Sequence, residues 1–357
     1  MNCIGSRLRF CGGILIGKLF TNNKHRIPIS SSFMSQETPT EIPPKPRPYL
    51  LLAKRLLPWI KFAIVAAVLI WVLWELHRTW DKLTEHKWEF HVGWLVLAGV
   101  FYLIGFFPAA IFWRHLLCLM GQSPGFFAAV RAYYISQLGK YTPGKAMVVI
   151  MRADIIHGPN VRASCAAAAV FFETFAIMSI GALLAAVITF FWFPGHPQYW
   201  AFLALNIFML GLSIFPTIPP LFRYVAKKLG VGKGDPDMDS HMKKLQWSTV
   251  FYGWGIMGIG WVFFGLSLWC TIHGLGLEPG PIQALPKYIA ISAMSVVLGF
   301  VLMLPGGFGA REWVLIHFLA PMLGDPGFAI AAAGAMRVVS ILSELAITAV
   351  LARFRKR

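Results

Sequence analysis

The chain has 357 residues, 57% of them hydrophobic and only 13% charged, whereas a soluble protein is roughly half apolar and a quarter charged. That balance excludes secreted disulfide scaffolds, ordinary cytosolic enzymes and disordered chains, because a bilayer must solvate so much apolar side chain. The formal net charge of +17 lies mainly beside apolar runs, where Lys and Arg orient helices and meet anionic lipid. Such placement argues against nucleic acid as a partner and for membrane lipids.

Residues 1–57 are basic and Pro-rich, as in Glu41-Ile42-Pro43-Pro44-Lys45-Pro46-Arg47-Pro48, which predicts an extended, solvated cytoplasmic tail. Residues 58–357 read as one all-α transmembrane domain. A crossing helix needs about 20 mostly apolar residues, and six segments qualify: 58–76, 92–113, 164–192, 199–215, 248–273 and 328–351. Trp59, Trp94, Trp192, Trp200 and Trp247 lie near their ends, as amphipathic rings do at headgroup level. Loop 216–247 carries Arg223, Lys227, Lys228, Lys233, Lys243 and Lys244, whereas 193–198 and 274–286 contain no Lys or Arg. Both termini are therefore predicted on the cytoplasmic side. The five cysteines form no C-x-x-C pair and read as packing residues.

Two further stretches are interrupted. In 125–157 two apolar limbs flank Gly139-Lys140-Tyr141-Thr142-Pro143-Gly144-Lys145, and in 287–323 they flank Pro305-Gly306-Gly307-Phe308-Gly309. Each is predicted to be a re-entrant helical hairpin, whose irregular backbone survives only where protein or a wet cavity satisfies it. Aligning Pro143 with Pro305 sets Glu173 opposite Arg337, the offset growing only from 162 to 164. With three spans between the hairpins, the repeat cores 125–192 and 287–351 form an inverted-topology repeat, the plan of many transporters.

Glu173 and Arg337 each lie nine residues into a span, where a lone charge costs about 2.5–3.5 kcal/mol. They are expected to face one another or a shared cavity across the repeat interface, with Glu344, seven residues after Arg337, extending the polar face. A static bridge and a role in substrate coupling both remain open for them. The first hairpin adds Lys140, Tyr141, Lys145 and Arg152, and the second Arg311 and Glu312. Guanidinium forks and amides exposed at a Gly-rich break suit an anionic headgroup, although the lysines and Arg152 also read as snorkelling cations.

The string Gln137-Leu138-Gly139-Lys140-Tyr141-Thr142-Pro143-Gly144-Lys145 with Arg152-Ala153, and the string Leu304-Pro305-Gly306-Gly307-Phe308-Gly309-Ala310-Arg311-Glu312 with Arg337, resemble the two signature regions of the lysylphosphatidylglycerol synthase transmembrane, or flippase-like, family. The resemblance covers about 58–351. It implies a bacterial inner-membrane protein that moves lipid-linked molecules between leaflets, with Arg152, Glu173, Arg311, Glu312 and Arg337 as the matching polar positions. The full synthase adds a soluble aminoacyl-transferase domain, and this chain ends six residues after Leu351. Aminoacyl-lipid synthesis is therefore not expected of it.

The leading expectation is translocation of a lipid with an anionic or zwitterionic headgroup. Its rival is an integral-membrane transferase or accessory subunit acting on a lipid-linked substrate, with Asp235, Asp237 and Asp239 as a cation-holding cluster. No P-loop, H-E-x-x-H or paired-Cys pattern occurs, so no metal or cofactor is expected. A homo-oligomer or a membrane-enzyme partner stays open.

Overall fold

The computed structural model describes residues 88–142, 146–228 and 237–354, with Ile70, Trp74 and His77. The tail 1–57, most of the expected span 58–76, and Pro143, Gly144 and Lys145 lie outside the described residues. The regular elements are helices: α1 (Val92–Leu119), α2 (Phe126–Ser136), α3 (Ala146–Ile156), α4 (Ala163–Trp192), α5 (Tyr199–Ile214), α6 (Pro219–Lys228), α7 (Met238–Lys243), α8 (Trp247–Gly274), α9 (Leu285–Val301), α10 (Ala310–Leu323) and α11 (Pro326–Arg353). Among the described residues six segments are long and apolar enough to cross a membrane: α1, α4, α5 with the turn after it, α8, α9 with the turn before it, and α11.

Five of these coincide with expected spans. The sixth, Ile282–Val301, covers 20 residues and corrects the expectation of two equal hairpins. The first limb of the second interrupted stretch is long enough to cross, because its helix begins ahead of Lys287, with a Pro in the first turn where no amide is needed. The limbs of the first stretch are different. Helices α2 and α3 have 11 residues each, about 16 Å at 1.5 Å per residue, half the hydrocarbon thickness.

Small residues bring these helices together. The Ala-rich first half of α4 buries Ala166, Ala168, Ala169 and Ala176, and with lipid as apolar as the side chains, close backbone approach is what holds membrane helices together. Gly139 serves the same end in the first hairpin, where a Cβ would lie 2.7 Å from the Val148 amide nitrogen of the opposite limb. Helices α1 and α8 interlock through Phe106 and Phe264, ring centroids 5.0 Å apart, and through the Ser267 hydroxyl, which donates to the Ala98 carbonyl at 2.8 Å. Asp325 starts α11, accepting the Gly327 amide at 2.7 Å, the usual work of a helix cap.

Element order is shared by the two interrupted stretches. Limb, break, limb and long helix follow as α2, α3, α4 and again as α9, α10, α11, with short 3-10 turns at Gln137–Tyr141 and Pro305–Gly307. The second break needs its glycines: Gly306 and Gly307 have φ of 58° and 70°, a region that costs a side-chain-bearing residue roughly 1–2 kcal/mol. The two breaks meet. Tyr141 packs on Gly306 so tightly that a Cβ there would lie 2.9 Å from the Tyr141 ring.

Candidate functional site

A cavity of about 490 Å³ opens where the breaks meet, between α1, α2, α4, α8 and α9. Most of its wall is apolar, with Phe106, Val149, Ile177, Trp261, Phe264 and Met336 among the lining residues. Polar side chains enter from the hairpins: Lys140, Arg152 and Arg311, with Glu173, Tyr102 and Tyr133 from the long helices and α2. Three ion pairs hold the charges around it apart from Arg311.

The first pair lies within the first repeat. Arg152 of α3 donates to Glu173 Oε2 of α4 at 2.8 Å and to the Ser136 hydroxyl at 2.9 Å, while the Tyr133 hydroxyl donates to Glu173 Oε1 at 3.0 Å. The guanidinium also lies 4.0 Å from the Tyr133 ring centroid. Both charged side chains are 2% exposed. At such burial an ion pair persists only if its remaining polar atoms are bonded, and Tyr133 and Ser136 supply those bonds.

The second pair repeats the first with its signs exchanged. Glu312 of α10 accepts from Arg337 of α11, by Nε at 2.8 Å and by Nη2, so the limb now carries the acid and the long helix the base. Glu312 Oε2 accepts the Gly309 amide at 2.8 Å, which ties down the start of α10 as in one half of a capping box. Arg337 Nη1 donates to the Gly306 carbonyl at 2.8 Å, and the guanidinium lies 4.3 Å from the Phe308 ring centroid. A backbone oxygen freed by the break thus finds protein, as irregular backbone at membrane depth requires. The first break does so locally, the Thr142 hydroxyl donating to the Gly139 carbonyl at 2.6 Å.

Glu173 and Arg337 therefore do not pair with each other, which corrects the first of the two expected arrangements; Glu173 does line the cavity, as the second had it. Each turns toward the second limb of its own hairpin. The link between repeats is Lys140 with Glu344: the ammonium binds Glu344 Oε1, Tyr102 donates to the same oxygen at 2.5 Å, and Lys140 also donates to the Tyr102 hydroxyl at 3.2 Å. Lys140 is only 19% exposed, so it is a clamp and not a snorkelling cation. Glu344 and the Tyr141 hydroxyl are buried and lie within reach of each other, so Tyr141 belongs to the same cluster.

Arg311 differs from the other cations. It lines the cavity, its stem packed on Gly299 and Gly307, and it has no hydrogen-bond or ion-pair partner among the described residues. Lys145 falls outside them. Tyr102, Tyr133 and Ser136 are the participants that sequence reasoning missed; a lone hydroxyl amid an apolar run is the signal that finds them, since it needs a partner at membrane depth. Of the acidic loop cluster, Asp237 lies 3.4 Å from Arg162 and Asp239 3.5 Å from Lys227, and Asp235 is outside the described residues. These are exposed surface contacts.

Helices of crossing length around a charged hollow define an all-α, multi-pass membrane protein. The family model described as the lysylphosphatidylglycerol synthase TM region matches residues 59–347, and the chain belongs to that family. Membership points to a role connected with membrane lipids. No curated protein and no solved structure matches the chain.

Proposed function

We propose that the protein moves a phospholipid with an anionic or zwitterionic headgroup between leaflets, the head entering the central cavity while the tails stay in the bilayer. The observation that carries this reading is Arg311, a guanidinium on the cavity wall with no acidic partner among the described residues. The Arg152–Glu173 and Lys140–Glu344 pairs balance the other charges of the wall. A phosphate oxygen pair is the geometry a guanidinium fork matches best.

The two breaks, in touch at the cavity, supply the moving parts. Alternating access would rock one repeat against the other about a fixed site, with the Lys140–Glu344 clamp made in one state and broken in another. The membrane in this reading is a bacterial cytoplasmic one, with the Lys and Arg of the 216–247 loop on its inner side. Leaflet exchange of head-labelled phosphatidylglycerol in protein-containing vesicles is the test. Exchange above protein-free vesicles, lost in Arg311→Ala and partly kept in Arg311→Lys, supports the proposal; equal exchange by wild type and Arg311→Ala ends it.

A further inference from the structure

Helices α1 and α2 carry a second hollow on another face. Tyr102 and Tyr133 line the central cavity, whereas their neighbours Leu103 and Tyr134 line a separate groove of about 220 Å³. Phe107, Val130, Ile347 and Leu351 complete its apolar wall, so that α1, α2 and α11 enclose it. The Tyr134 hydroxyl donates to the Leu103 carbonyl at 2.7 Å, so its proton is already taken up by protein. Any acyl chain would fit such a surface. Selectivity has to come from its rim.

Two arginines stand at the end of the groove where α1 and α11 finish and α2 begins. Arg114 Nε donates to the Pro124 carbonyl at 3.3 Å, and its guanidinium lies 5.9 Å from the Phe126 ring centroid. Phe126 in turn packs on Phe107 of the groove wall, ring centroids 6.2 Å apart. Arg131 Nε donates at 3.1 Å to the carbonyl of Leu351, itself a wall residue. Each guanidinium is thus oriented by one backbone bond through Nε, and the terminal nitrogens make no hydrogen bond or ion pair among the described residues. The three helices contain a single carboxylate, Glu344, and Lys140 and Tyr102 hold it on the cavity side.

We propose that this groove is a binding site for an anionic phospholipid, one acyl chain lying between α1, α2 and α11 and the phosphate on the Arg114 and Arg131 forks. The apolar wall sets affinity for any tail; the two forks, facing no acid, select negative charge. The site is separate from the translocation path and holds whether or not the central cavity moves lipid.

The test reads retained lipid and not transport. Full-length protein carrying Arg311→Ala, so that the cavity contributes nothing, is purified from mixed micelles of equal phosphatidylglycerol and phosphatidylcholine, and bound lipid is counted by native mass spectrometry. Preferential retention of phosphatidylglycerol is expected, falling roughly fivefold for each arginine replaced in Arg114→Gln and Arg131→Gln. Glutamine keeps a donor for the Pro124 and Leu351 carbonyls, so the helix ends stay tied. In a third variant, Val130→Trp, the groove is filled and retention falls with both arginines present. No preference in the Arg311→Ala protein, a preference that survives the double glutamine variant, or retention indifferent to Val130→Trp would each overturn the site.

Discussion

Replacing Glu173 by Ala leaves Arg152 buried at 2% exposure with its carboxylate gone and the Ser136 hydroxyl and the Tyr133 and Trp113 rings beside it. Removing one partner of a buried pair costs about 3–5 kcal/mol, chiefly through the charge left behind. The Tyr133 hydroxyl also loses its acceptor, a further cost of about 1–3 kcal/mol. Replacing both partners, as Glu173→Met with Arg152→Met, removes the charge as well as the bond, and is expected to cost less than either single change. Thermal unfolding in detergent, followed by size-exclusion chromatography of the four proteins, gives the coupling between the two positions. Coupling of several kcal/mol is expected for Glu173 with Arg152, and less than about 0.5 kcal/mol for Glu173 with Arg337. If the Glu173 and Arg337 changes coupled more strongly than Glu173 and Arg152, the assignment of pairs within each repeat would be refuted.

Other expectations concern the second repeat and the clamp. Arg337→Lys keeps the charge but loses the fork that serves Glu312 and the Gly306 carbonyl together, so a melting temperature close to that of Arg337→Ala is expected, and full retention of stability would contradict the geometry. Gly306→Ala places a Cβ at a φ of 58° and against the Tyr141 ring, which should lower stability by about 1–3 kcal/mol; a neutral outcome in the same unfolding assay would mean that the breaks do not touch. Tyr102→Phe removes one donor from Glu344 and is expected to cost about 1.5–3 kcal/mol in wild type but much less in Glu344→Met, a difference read from the same melting curves.

Hydropathy made most of the fold legible, because α1, α4, α5, α8 and α11 each have to present a long apolar run to lipid. The breaks were equally plain, since Pro305-Gly306-Gly307 can form no continuous helix. The pairing of the buried charges was not. Glu173 and Arg337 lie at matched depth in their helices, but depth says nothing about which way a side chain turns, and each turns to the short limb beside it. Lys140 looked like a cation reaching for the surface, and only the position of Glu344, 204 residues later in the chain, shows it held inside. Apolar packing hid the starting point of α9 in the same way, because Lys287 marks no boundary when Pro286 and Leu285 already turn as helix.

The most direct measurement uses a phospholipid carrying a photo-reactive group in its head, reconstituted with the full-length protein and irradiated, with the adducts mapped by peptide mass spectrometry. Adducts are expected on the peptides bearing Tyr141 and Arg311, where the two breaks meet, and they should vanish in Arg311→Ala while those on lipid-facing helices remain. Adducts confined to the outer faces of the helices, unchanged by Arg311→Ala, would contradict a lipid head in the central cavity.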